Sequence, residues 1–220
     1  MPRIKQVRAQ LLKLDPFPVR LFVGFVLFWI WLARAPYYRS DWLLENILVF
    51  SAVPVFGWLW YRSDVSRLAW LSIFLFLVFH EIGAHYTYSE VPYDQWLSTL
   101  LGFSLDQRFN FERNQYDRWV HFLYGLLLFP LIKDLLKKYL RYKVGLWNLL
   151  SVMLILSHSA LYEIAEWLAV VLFPKELGES YLGAQGDIWD AQKDMVLALL
   201  GVSVASALSL LRYFIMTKRD

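Results

Sequence analysis

Apolar residues along this chain gather into six long runs, separated by shorter stretches where charged and polar residues collect. A helix needs about 20 mostly apolar residues to cross a bilayer. The runs meet that measure at roughly Val19–Ala35, Trp42–Tyr61, Leu68–His85, Arg118–Leu136, Leu146–Phe173 and Ile188–Tyr213. The fifth is long enough to tilt or to protrude. The pattern predicts an all-α fold: one polytopic domain of six transmembrane helices over residues 19–216, with a basic segment at 1–18 and a short tail at 217–220. Two connections are substantial, near 86–117 and 174–187. The first carries Tyr86, Tyr88, Trp96, Phe103, Phe109 and Phe111, which reads as a lid at the membrane interface. No repeat of fixed period is visible.

Composition points the same way. Hydrophobic residues make up 58% of the chain, above the roughly 45–50% of soluble domains. The 11 Trp and 13 Tyr suit interfacial belts. Cysteine is absent, which excludes disulfides, thiolate metal sites and thiol nucleophiles. The net charge of +3 gives nucleic-acid binding no electrostatic basis. The distribution of basic residues says more than their sum. The N-terminal segment (Arg3, Lys5, Arg8, Lys13, Arg20), alternate loops and the tail hold fifteen, against five in the remaining loops. Basic loops stay inside, so both termini are expected in the cytoplasm. No cleavage site follows the basic segment, so it is expected to be retained.

The four histidines all lie within or at the ends of spans, with acids beside them. Glu81 and His85 are four apart at the end of the third span, hence on one helix face, with His80 on another. Asp117 and His121 share a face at the start of the fourth, next to Arg118. The fifth carries His158, Glu163 and Glu166, and the sixth opens with Asp187, Asp190, Lys193 and Asp194, a stripe that Ala198 and Gly201 extend. With the expected topology, all of these fall in the extracytoplasmic half, His158 nearest the midplane. A charge at the bilayer centre costs roughly 2.5–3.5 kcal/mol even on permissive scales. Such a layer therefore needs internal partners, a water-filled cavity or a bound cation. Mixed His, Asp and Glu ligands suit a divalent metal such as zinc, manganese or iron.

A plainer reading accounts for each residue singly. Polar side chains in membrane helices hydrogen-bond to neighbouring helices, at about 0.6 kcal/mol each. Acids such as Asp117, Asp187 and Asp190 also complement a helix N-terminus. Neither effect requires that all of them share one depth.

Four ordered segments carry a resemblance. His80-Glu81-Ile82-Gly83-Ala84-His85-Tyr86, Asp117-Arg118-Trp119-Val120-His121-Phe122, Glu163-Ile164-Ala165-Glu166-Trp167 and Gly186-Asp187 through Asp194 resemble the YjdF-type bacterial inner-membrane proteins. The resemblance covers most of the chain and implies a multi-pass protein of the bacterial inner membrane, with no activity attached. The second half is more distantly similar to VanZ-like membrane proteins of the cell envelope. Their Asp-Lys then His-Phe matches Asp117, Arg118, His121 and Phe122. Their Glu-x-x-Gln and Asp-x-x-x-Asn match Glu163/Glu166 and Asp190/Asp194, an acid replacing the amide each time.

The expectation is a metal-dependent membrane hydrolase or transferase acting on a lipid or lipid-linked envelope substrate. His85, His121 and Asp190 are the leading ligands, with His80 and Asp194 in reserve. Glu163 or Glu166 is the general base, and Glu81, Asp117, Arg118, His158, Asp187 and Lys193 complete the polar site. The alternatives are a non-catalytic cation or solute binder or transporter, or an envelope scaffold. Membrane lipids are the expected partners; the oligomeric state is not legible. His-Glu-x-x-His and Gly-x-Ser-x-Gly are absent from the chain. Asp187-x-x-Asp190-x-x-x-Asp194 resembles an intramembrane prenyltransferase motif, but no second motif follows it.

Overall fold

A computed structural model describes residues 15–62, 65–140 and 144–218. The basic residues at 3–13, and Arg141, Lys143 and Arg219, on which much of the topology expectation rests, lie outside the described residues. Among the described residues nine α-helices run in order: α1 (Phe17–Leu32), α2 (Arg39–Arg62), α3 (Arg67–Tyr86), α4 (Tyr93–Leu101), α5 (Leu105–Phe109), α6 (Tyr116–Tyr139), α7 (Val144–Leu172), α8 (Lys175–Leu182) and α9 (Asp190–Thr217). Described residues contain no strand. Five helices among the described residues, α2, α3, α6, α7 and α9, are long and apolar enough to cross a membrane, at 20 to 29 residues. The first expected span, α1, is shorter at 16 residues, about 24 Å of helix. Its end is closed by Arg39, which donates to the Ala33 carbonyl at 2.6 Å.

The bundle is apolar outside and partly polar within, the inverse of a water-soluble protein. Leu27, Leu161, Val171 and Leu172 are all more than 60% exposed, as side chains facing lipid are. Glu45, Asn46, His80, Glu81, Asp117, His121, Asn148, Glu163, Glu166, Asp190 and Asp194 are buried.

Helices α6 and α9 form the tightest pair. A Cβ at Gly125 would overlap the Ala198 carbonyl, and one at Gly201 would overlap the Phe122 carbonyl. Only at glycine can the two backbones close to this distance, the small-residue packing that substitutes for a hydrophobic drive between helices in lipid. Farther along α9, Asn148 of α7 donates to the Ser206 carbonyl at 2.9 Å. Lys133 of α6 bonds Ser209 of α9.

Antiparallel connections bring the N-terminal ends of α2, α6 and α9 and the C-terminal ends of α3 and α7 to one end of the bundle. The two long connections cap that end. In the first, Thr87 (φ +57°) ends α3 and a 3-10 turn follows at Tyr88–Glu90. The Tyr88 ring then lies where a Cβ on Gly83 would stand. In the second, α8 packs Gly178 onto the Ala169–Val170 backbone of α7. Ser180 of α8 donates to Asp41 of α2 at 2.5 Å.

Candidate functional site

Beneath these caps lies a cavity of about 370 Å3 whose wall includes Glu45, His80, Tyr88, Asp117, His121, Tyr162, Glu166 and Tyr181. Its remaining wall is mostly apolar, including Leu48, Ala52, Phe56, Phe76, Leu77 and Leu128. Asp117 and His121 stand one turn apart at the start of α6, where the helix enters the polar end. His121 Nε2 is 3.4 Å from Asp117 Oδ1, and Nδ1 is 3.8 Å from Glu163 Oε1 on α7. The α6–α9 contact fixes the third member. Asp117, His121 and Asp194 each offer one ligand atom within 4.8 Å of the others, and all three are buried.

Two carboxylate oxygens in this group, Asp194 Oδ1 and Glu163 Oε1, are buried without a hydrogen-bond partner. Such groups are expensive to strand. A cation or a proton satisfies them, so the donor set fits a divalent ion: one imidazole and several carboxylate oxygens.

Asp190, expected as a ligand, faces a different partner. The Arg113 guanidinium binds its carboxylate and also donates to the Gly183 and Ala184 carbonyls, each at 3.1 Å. Arg118 binds Asp187 and lies 3.6 Å from Asp190. Lys193 Nζ is 2.6 Å from Asp187 Oδ2. Asp187 and Asp190 thus belong to a cationic rim that ties the α8–α9 connection to α6. The Lys193 ammonium, the Trp189 N–H and Arg118 hold the Asp187 carboxyl well below the usual carboxylate range.

The structure separates the other histidines from the Asp117–His121–Asp194 group. His85 Nδ1 donates to the Leu32 carbonyl at 2.9 Å, and its ring packs beside Tyr86 with centroids 4.6 Å apart. His85 is not in the cavity wall. His80 does line the cavity, but Nδ1 is 2.5 Å from the Tyr88 hydroxyl and Nε2 is 3.2 Å from the Glu45 carbonyl. Both ring nitrogens are therefore occupied: Tyr88 donates to Nδ1 and Nε2–H donates to the carbonyl, the assignment this network dictates. His158 Nδ1 shares a hydrogen bond of 2.8 Å with the Tyr124 hydroxyl on an exposed part of the cavity rim. Glu81 accepts from Trp42 Nε1 at 2.7 Å, outside the main cavity. Of the two candidate bases, Glu163 faces His121 and Glu166 faces the cavity.

Sequence reasoning gave no site role to Glu45, Asp41, Arg113, Tyr162 and Tyr181, and placed Tyr88 only in the lid. Asp41 and Glu45 repeat the four-residue spacing of Asp117 and His121 at the start of the second span. The cost of an acid in an apolar run flags Glu45 directly. Arg113 sits in a connection, where nothing in the sequence indicates its direction.

The chain resembles known proteins over most of its length. It is 30% identical to the inner membrane protein YjdF of Escherichia coli (strain K12) over 165 residues, 74% of each chain. No solved structure gives a significant match. The model of the family described as "Predicted membrane protein (DUF2238)" matches residues 17–215. With five apolar helices of spanning length, this multi-pass membrane protein belongs to the DUF2238 family.

Proposed function

We propose that this inner-membrane protein is a metal-dependent hydrolase or transferase, acting on a lipid or lipid-linked envelope substrate from the extracytoplasmic side. One observation carries the reading: Asp117, His121 and Asp194 converge, buried, beside a half-apolar cavity. Asp194 Oδ1 and Glu163 Oε1 have no partner there. Asp117, His121 and Asp194 would hold the ion. When bound, a divalent ion polarises an ester, amide or phosphoryl oxygen and lowers the pKa of a water molecule.

The chain's own groups do the rest. Glu163, whose Oε1 faces His121 Nδ1 at 3.8 Å, is the carboxylate that would orient the imidazole once the ion is held. Glu166, facing the cavity, is the base that takes a proton from the attacking group. The caps α8 and Tyr88–Glu90 exclude bulk water. The apolar wall accepts the hydrocarbon part of the substrate. The orientation is supported by the sequence's bias of basic residues toward the N-terminal segment, alternate loops and the tail.

The acids that remain around the cavity also support a second reading, a cation binder or transporter without chemistry. Purification in detergent without chelator, followed by elemental mass spectrometry, tests the metal. About one zinc, manganese or iron per chain is expected, lost in His121→Ala and Asp194→Asn and kept in His85→Ala. Absence of metal even after each ion is supplied would refute the enzyme reading.

A further inference from the structure

The polar cavity adjoins a second one. Ala52, Phe56 and Leu77 line both it and an apolar cavity of about 410 Å3 enclosed by α1, α2 and α3. Among the described residues no charged side chain lines the second cavity. Its lip carries Val19, Phe22 and Val53, 40%, 48% and 39% exposed, on the surface that faces lipid. From Glu45 to Trp60, which lines its far part, α2 advances fifteen residues, about 22 Å. That is long enough for a fatty-acyl-length chain.

The chemistry of the first cavity restricts the head of such a ligand. Glu45, Asp117 and Glu166 line it, and neither Lys nor Arg does among the described residues. Glu45 is 6% exposed, and its Oε2 has no partner. A divalent ion at Asp117, His121 and Asp194 offsets the two aspartates and leaves Glu45, Glu163 and Glu166 in surplus. The Arg113 guanidinium binds Asp190 and two carbonyls and lies 4.0 Å from Asp117, behind the wall. A phosphate head finds neither Lys nor Arg in this wall among the described residues. An ammonium finds carboxylates and a ring of Phe76, Tyr88, Tyr124, Tyr162 and Tyr181, whose π-faces attract cations.

We propose that the ligand is a long-chain amphiphile with an amine-bearing, positively charged head. The head lies beside Glu45, and the chain passes Ala52, Phe56 and Leu77 into the apolar cavity between α1, α2 and α3. This names the substrate class and rests on the cavity being the substrate site. It does not rest on the metal.

The test uses the full chain in phosphatidylcholine nanodiscs and a long-chain amine carrying a diazirine near its methyl end. Photolabelling is mapped by mass spectrometry, with chelator and again with added zinc. Labels are expected on cavity residues such as Phe22, Phe25 and Phe74, displaced by dodecylamine but not by dodecyl phosphate or dodecanol. Glu45→Gln should raise the half-displacing concentration about tenfold or more, as loss of a charge-assisted contact does. Ala52→Trp, which blocks the junction, should remove the labels; circular dichroism and melting verify that both variants fold. Equal displacement by the phosphate or the alcohol, or labelling unchanged in both variants, overturns the proposal. Labelling that persists with chelator and in His121→Ala upholds the substrate class even where elemental analysis finds no metal. Bound metal with displacement by phosphate does the reverse.

Discussion

Replacing Gly201 by alanine adds one methyl group at the closest approach of α6 and α9. The new Cβ would stand 2.9 Å from Leu126 N and 3.0 Å from Phe122 C, and closer still to the Phe122 carbonyl oxygen. All three are backbone atoms, so no side chain can rotate away. The helices must part by roughly 1 Å to restore ordinary contact, losing dispersion along the seam. Overpacking of this kind costs typically about 1–3 kcal/mol. At roughly 2–4 °C per kcal/mol for a chain of this size, melting in detergent should fall by several degrees. The same separation moves Asp194 away from Asp117 and His121, so metal retention should weaken in parallel. Gly57→Ala is the matched control. Nothing lies within 4 Å of a Cβ there, and the better helix propensity of alanine should leave stability equal or slightly higher. Melting of Gly201→Ala at the wild-type temperature, with metal content unchanged, would refute the packing argument.

Further outcomes follow from the rim and from the buried polar groups. Arg113→Met leaves Asp190 and the Gly183 and Ala184 carbonyls without their guanidinium. Breaking a buried pair costs about 3–5 kcal/mol, and limited proteolysis should cut the α8–α9 connection faster than in wild type. Asp187 contributes stability with a defined sign. Its carboxyl is held below the usual range by Lys193, Trp189 N–H and Arg118, so the contribution is complete above the ordinary aspartate pKa of about 4. It is lost as pH falls toward the depressed folded value. Melting of wild type and Asp187→Asn should therefore differ at neutral pH and converge in acid; a constant gap would contradict this. Trp42→Phe removes the indole donor 2.7 Å from Glu81 Oε1. The stranded buried carboxyl should cost about 1–3 kcal/mol in chemical unfolding, and Glu81→Leu in the same chain should recover most of the loss.

Much of this arrangement is legible in the residue pattern, and the illegible part has a physical cause. Apolar runs of spanning length mark α2, α3, α6, α7 and α9, because lipid demands such runs. The coincidence of acids and histidines at one end follows from the alternation of span direction. What the pattern leaves open is which residues on co-facing helices meet. His85 and Glu81 share a helix with His80, yet α3 is rotated so that only His80 reaches the main cavity. Asp190 and Asp194 lie on one stripe, and the depth at which α6 crosses α9 selects between them. That depth is set by Gly125, Ala198, Gly201 and Phe122, a register no single-helix reading contains. Arg113 then takes Asp190 from outside the spans. The proposed ligand set therefore centres on Asp117, His121 and Asp194, which converge, rather than on His85 and Asp190.

X-ray absorption at the edge of the bound metal, on protein purified in detergent, tests that assignment most directly. The account predicts one imidazole nitrogen and at least two carboxylate oxygens at about 2.0–2.2 Å, with the imidazole signature lost in His121→Ala and unchanged in His85→Ala. Two or more imidazoles in the wild-type spectrum, or a spectrum indifferent to His121, would contradict it.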